Sequence, residues 1–280
     1  MLAVFSKDAG GAENLSSYIK RNKSKKIFFL KGPAIGIFKK KFPKLKNINF
    51  KEIKNYKINS IITSTSSKGD HELAAIEYAK KNKIKSISIL DSWINYKKRF
   101  RKKNKYYYPN EIWTVDKNAY NLSKNLRLPN VKLKKNYFLL DTIEYFKKLK
   151  IKKNYFRVLY LDSTLKKKDK QKKRIEYFIQ KINEMNLNKK FQIYFRPHPT
   201  EKLFFYKKLL KKNRIKIINI KKESVIISIA KSNYVFGCNS MGMYIASKFK
   251  LKVINALPEN DIKMYLPIKN ISLKNFKIND

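Results

Sequence analysis

Residues 60 to 90 read SIITSTSSKGDHELAAIEYAKKNKIKSISIL, and this stretch decides the fold. Ser60 to Thr63 is a short apolar run of strand character. The polar turn TSTSSKGD leads from it into HELAAIEYAKKNK, which reads as a helix. Lys85 to Leu90 is strand again. Strands separated by a helix of this length indicate parallel neighbours joined by a right-handed crossover.

The same rhythm extends in both directions. Upstream, Leu2 to Phe5 is a strand, followed by a glycine-containing turn and a helix to about Arg21, and Lys26 to Leu30 is a second strand. Downstream, Glu111 to Val115 is a strand and Asp116 caps the helix after it. The pattern restarts after KKLKIKKNYF. Arg157 to Leu161 is a strand, and a helix runs from the basic turn to about Met185. Phe191 to Phe195 is a strand, with a helix from about Thr200 beyond it. Ile215 to Ile218, Tyr234 to Gly237 and Lys252 to Ile254 are strands. Glu223 to Ala230 and Asn239 to Lys248 are helices. The expected architecture is α/β, with two Rossmann-like parallel-sheet domains facing a cleft. They cover residues 1–150 and 151–280, with a boundary near 147 to 155. The last dozen residues read as a loose tail.

Composition narrows the class. Hydrophobic residues make up 43% of the 280 residues, enough for a core, although 31% are charged. The single cysteine, Cys238, excludes an internal disulfide and suits a reducing cytosol. No apolar run reaches the length of a membrane span, and the N-terminus lacks the basic lead of a signal peptide. A cytoplasmic protein is expected, with peripheral contact at an anionic inner membrane face the one membrane role the charge allows. The net charge of +47 invites a nucleic-acid reading. It is nearly all lysine, spread over every predicted helix and loop, so it reads as compositional bias and no specific nucleic-acid partner is expected.

In open parallel sheets, ligands bind beyond the carboxyl ends of the strands, so the stretches after strands hold the candidate sites. SKDAGGAEN follows the first strand. Gly10 and Gly11 let backbone approach a ligand, and Asp8 is a candidate base or sugar-binding carboxylate. The plainer reading makes Asp8 a helix cap. The stretch lacks the GxGxxG fingerprint, so no nicotinamide cofactor is expected. TSTSSKGDHE offers hydroxyls for a phosphate or a sugar, with Asp70 as a cap and His71 in an exposed first turn. In LDSWINYKKRF, Asp91 ends a strand beside Trp93, Tyr96 and Arg99, a carboxylate next to an aromatic platform. YFRPHPTE places His198 between Pro197 and Pro199 with Arg196 alongside, rigidly held at a strand end where both can grip a phosphate. FGCNSMGMYIA ends a strand at Gly237. Asn239 and Ser240 then open a helix whose amides face a second phosphate position. Cys238 has no histidine partner and is not a nucleophile. No metal-ligand cluster is visible.

The RPHP turn, the later G-x-N-S turn and the two α/β halves resemble the GT-B glycosyltransferases. The likeness is to the branch with an HP motif and a serine motif, which includes bacterial sialyl-, polysialyl- and Kdo-transferases. The CDP-glycerol glycerophosphotransferases carry a comparable R-P-H-P. The resemblance implies that His198 and Pro199 contact the donor nucleotide or its phosphate and that Ser240 holds phosphate. It also implies a donor on the C-terminal domain, an acceptor on the N-terminal one and no metal. The serine pair is Asn239-Ser240 here, and Asp8 or Asp91 would stand in for the acceptor base. The implied function is metal-independent transfer of a sugar or polyol phosphate from a nucleotide-activated donor to a glycan or lipid-linked acceptor in surface polysaccharide or glycolipid assembly. No cofactor beyond that donor substrate is implied. The alternatives are a nucleotide-sugar 2-epimerase or hydrolase of the same fold, and a non-catalytic nucleotide- or glycan-binding module.

Overall fold

The computed structural model describes residues 1–66, 70–151, 156–163, 168–187, 191–198 and 207–277. The chain forms two compact units, Met1–Asp141 and Thr142–Asp280. The division falls a few residues before the KKLKIKKNYF stretch.

The first unit opens with β1 (Leu2–Ser6), α1 (Ala9–Arg21), β2 (Lys26–Leu30) and α2 (Pro33–Lys41). After a 3-10 turn at Phe50–Asn55 come β3 (Ser60–Thr63), α3 (Asp70–Lys81), β4 (Lys85–Leu90) and the short α4 (Tyr96–Arg99). A small antiparallel hairpin, β5 (Arg101–Lys102) and β6 (Lys105–Tyr106), precedes β7 (Glu111–Thr114), α5 (Lys117–Asn125) and β8 (Val131–Leu133), and α6 (Tyr137–Lys148) carries the chain across the division between the units. The main sheet has six parallel strands in the order β2-β1-β3-β4-β7-β8. Every residue of β1 is buried, as expected for a parallel strand covered on both faces. Ala12, Leu15 and Ile19 lie on one stripe of α1 and pack with Val4, Leu30 and Ile62. The opposite face holds Ala3, Phe5, Phe29 and Ile61 against Ala75 and Ala79 of α3. The Phe5 and Phe29 rings stack at 4.7 Å on that face.

The second unit repeats the plan with β9 (Arg157–Leu161), α7 (Lys168–Glu184), β10 (Gln192–Arg196), α8 (Lys207–Lys212) and β11 (Lys216–Ile217). It continues with α9 (Val225–Ala230), β12 (Tyr234–Gly237), α10 (Met241–Lys248), β13 (Lys252–Asn255) and β14 (Ile271–Ser272). Its strands are also parallel, in the order β11-β10-β9-β12-β13-β14. Val158, Tyr160, Phe178, Phe195 and Phe236 centre its core.

Among the departures from the expected pattern, two bear on the core. Pro33 to Lys41 is a helix that the pattern of glycines hides. Gly32 turns the chain in the left-handed region at φ 51° and Pro33 takes the first helical position, where its missing N–H costs nothing. The expected loose tail instead carries regular structure. Ile271–Ser272 adds a strand beside β13, and Leu273 and Phe276 are buried in the core. The helix expected from Thr200 begins outside the described residues.

Candidate functional site

The connections reverse direction in each sheet, at β1/β3 in the first and at β9/β12 in the second. These switch points are where open α/β sheets bind ligands, outside the carboxyl ends of the strands.

At the first switch point, hydroxyls and carboxylates converge. Ser6 Oγ and Ser64 Oγ lie 2.8 Å apart. Ser64 and Ser66 donate to the two oxygens of Glu72 at 3.2 and 2.9 Å. Glu72 is 2% exposed, and burial pushes its carboxyl above the usual range although the serine bonds pull it down. Beside it, Asp91 Oδ1 accepts from Arg99 at 2.9 Å and from Thr65 Oγ1 at 3.2 Å. Arg99 also donates to Thr65 Oγ1 at 2.9 Å. Burial raises the Asp91 carboxyl even so, with Arg99 opposing and Asp8 reinforcing the rise. Asp8 raises Glu72 as well, so three acidic groups share this strand end. A carboxyl held above its ordinary range at such an edge is suited to proton transfer.

The glycines complete this packing. A Cβ on Gly10 would stand 2.7 Å from Asp91 Oδ2. One on Gly11 would meet Ser64 Cβ at 2.7 Å and the Thr65 carbonyl at 3.0 Å. The missing Cβ atoms therefore let Asp91, Ser64 and Thr65 close in on the start of α1. Asp8 stands at the N-cap position of α1, partly buried, without a side-chain capping bond. Trp93 is 7% exposed and donates through Nε1 to Asp116 Oδ2 at 2.9 Å. It is a buried strut rather than an open aromatic platform. His71, expected in an exposed turn, is 5% exposed. Glu72 is the residue the sequence reading missed, because a first-turn glutamate carries no mark of burial.

At the second switch point, Asp162 follows β9. It is 5% exposed, accepting from the Ser163 amide and from Gln171 Nε2, both at 2.9 Å. It too was missed in sequence, where only its place after a strand could have marked it. Across from it, β12 ends at Gly237, whose absent Cβ leaves room for the Leu161 carbonyl at 2.8 Å and Met243 Sδ at 3.0 Å. That glycine serves strand and helix packing. Asn239 is left-handed at φ 57°. Its Oδ1 accepts from the Tyr265 amide at 2.9 Å and its Nδ2 donates to the Lys263 carbonyl at 3.4 Å. The amide therefore braces the 263–265 loop rather than a phosphate. Ser240 is the N-cap of α10, and its hydroxyl makes no capping bond. Cys238 is buried beside Tyr160, and burial pushes its thiol up to about 12, which disarms it as a nucleophile.

Arg196 ends β10, but its guanidinium turns beneath α9. Nη1 donates to the Glu223 carbonyl at 2.8 Å and to Ser228 Oγ at 2.9 Å. Glu223 also pairs with Arg157 at 3.1 Å and Lys231 at 2.7 Å. This buried network replaces the phosphate grip expected of Arg196. His198 lies two residues past the strand, partly buried. Pro199 lies outside the described residues. The sequence-predicted residues thus form two groups. Asp8, Gly10, Gly11 and Asp91 meet at the first sheet, and Gly237, Asn239 and Ser240 meet at the second. Among the described residues, no group of three or more His, Cys, Asp and Glu could hold a metal ion.

No protein-family model matches the sequence, and no curated protein matches it. Solved structures do share the fold. A UDP-GlcNAc 2-epimerase from Neisseria meningitidis bound to UDP-GlcNAc superposes with a TM-score of 0.72 at 12% identity, covering 98% of this chain and 88% of its own. The S. aureus protein MnaA, solved with UDP, gives 0.66 at 13% identity, with 91% and 78% covered. The UDP-GlcNAc 2-epimerase of Methanocaldococcus jannaschii gives 0.61 at 14% identity, with 91% and 83% covered. At these identities the likeness defines the architecture: the chain is an α/β protein with two parallel-sheet domains, GT-B-like in fold.

Proposed function

We propose that the chain is an enzyme acting on nucleotide-activated sugars. The observation that carries this reading is Asp91: a carboxyl held above its ordinary range at the carboxyl edge of the first sheet, steadied by Arg99 and Thr65. Such a group is suited to taking and returning a proton. Asp8 flanks it, and Glu72 fixes the hydroxyl turn beside it. On the second sheet, Ser240 and the first amides of α10 offer a partly positive helix end to a donor phosphate, with His198 presented from β10. Stabilising the departing phosphate is the second requirement of the reaction.

The first reading of that chemistry is transfer. Asp91 or Asp8 takes the proton of an acceptor hydroxyl as the sugar, or a polyol phosphate, leaves its nucleotide. The HP-motif branch of the GT-B enzymes remains the family this reading draws on, with a glycan or lipid-linked acceptor. The second reading, epimerisation of the nucleotide sugar itself, is favoured by the shared fold and by the Asp91 carboxyl, with Asp8 beside it at the same strand end. Incubation with a panel of nucleotide sugars, with and without acceptor glycans, separates the two. Nucleotide release that depends on acceptor supports transfer; a changed sugar on an intact nucleotide, without acceptor, supports epimerisation. Asp91→Asn keeps an oxygen for Arg99 and Thr65 and should lower turnover roughly 100-fold or more. Full activity in that variant would remove Asp91 from the chemistry.

A further inference from the structure

A separate cavity of about 510 Å³ opens at the carboxyl end of the edge strand β2. Its lining includes Leu30, Lys31, Asn49, Phe50, Lys51 and His71. The volume lies within the range of small-molecule sites. Its walls are built rather than incidental. Asn47 clamps both backbone groups of Leu30, its Oδ1 accepting from the amide at 2.7 Å and its Nδ2 donating to the carbonyl at 3.1 Å. Asn49 caps the 3-10 turn by accepting from the Lys51 amide at 3.0 Å, and Glu52 accepts from the Asn49 amide in return.

Two kinds of polar group serve this cavity. His71 Nε2 lies 2.8 Å from the Phe29 carbonyl. A carbonyl only accepts, so Nε2 carries the proton and Nδ1 of the neutral ring is an acceptor. Burial, with Lys31 and Lys7 nearby, lowers the histidine's affinity for a second proton despite that carbonyl. Among the described residues no protein donor reaches Nδ1, so this acceptor is open to a ligand. Lys31 and Lys51 are exposed, and among the described residues neither ammonium has a carboxylate partner.

We propose that this cavity binds a small polyhydroxylated acid, such as a sugar bearing a carboxylate or phosphate. Its hydroxyl donates to His71 Nδ1, its acid group lies between Lys31 and Lys51, and its CH face rests on Leu30 and Phe50. The choice of a sugar as the polyol rests on the function proposed above and makes this cavity an acceptor or effector subsite. The cavity's geometry does not depend on that function.

Calorimetric titration of the full chain with glucuronate and with glucose 6-phosphate tests the proposal, with glucose and inorganic phosphate as controls. At least one acid should bind, and the tighter of the two names the acid group. Glucose and inorganic phosphate should each bind at least 10-fold more weakly. Lys31→Met combined with Lys51→Met should weaken the acid at least 10-fold while leaving most of the chain's lysines in place. Failure of both acids to bind overturns the proposal. So does unchanged binding in the double variant, or inorganic phosphate binding as well as glucose 6-phosphate, since that would mean charge alone. Nucleotide binding is measured separately by thermal shift. Acid binding without nucleotide binding leaves this cavity standing and removes the proposed function; the reverse result does the opposite.

Discussion

Asp91 and Glu72 differ in what each does at one strand end. Asp91 keeps an oxygen turned to Gly10, while both oxygens of Glu72 are committed to serines. Glu72 is thus a brace, and its raised carboxyl has a consequence for stability. The native state holds this proton to higher pH than the unfolded chain does. Its contribution is present at about pH 4 and is lost as pH rises through the native value. Glu72→Gln imitates the protonated form, so its stability relative to the wild type should improve as pH rises from about 4 to 7. Urea unfolding across that range checks the sign, and a variant that loses stability relative to the wild type as pH rises would mean the carboxyl is not raised. Gly11→Ala drives a Cβ against Ser64 and the Thr65 backbone and should cost about 1–3 kcal/mol in the same unfolding experiment. Asp8 and Asp91 were legible in sequence because an acid directly after an apolar run stands at the sheet's ligand edge. Arg196 was misread for the same reason: it does end a strand, but the Glu223 carbonyl and Ser228 beneath α9 needed a buried donor. Position along a strand is written in sequence, whereas the direction of a long side chain is set by packing from elements far along the chain.

Among the elements, the strands were the most legible. Ser60–Thr63, Lys85–Leu90 and Arg157–Leu161 fall where apolar residues gather, because parallel strands buried on both faces are rich in them. The helix Pro33–Lys41 was hidden by Gly32 and Gly36, which suggest a turn. The last strand was hidden because Leu273 and Phe276 stand among lysines and asparagines, and only their three-residue spacing marks them. Phe276 lies against the rings of Tyr234 and Phe236, with centroids at 5.2 and 5.4 Å. Phe276→Ala should therefore destabilise the second unit by roughly 3–5 kcal/mol, as for other buried aromatics. Denaturant unfolding followed by fluorescence measures it, and a cost under about 1 kcal/mol would return the segment to a loose tail.

For the whole molecule, the net charge of +47 makes the folded chain repel itself. Added salt screens that repulsion, so the melting temperature should rise between about 0.05 and 0.5 M sodium chloride, where the screening length shortens severalfold. A fall would indicate that favourable ion pairs such as Arg174–Asp261 dominate instead. None of the described helices is long and apolar enough to cross a membrane. The proposed action on nucleotide-activated sugars requires that this α/β protein bind a nucleotide. Melting is followed with CMP, CDP, UDP, GDP and ADP for the wild type and for His198→Ala. A nucleotide at about 100 times its dissociation constant adds about 2.7 kcal/mol of stability. One nucleotide base should give a clear shift, and His198→Ala should lose it. No shift with any nucleotide, or an equal shift in His198→Ala, would contradict the proposal.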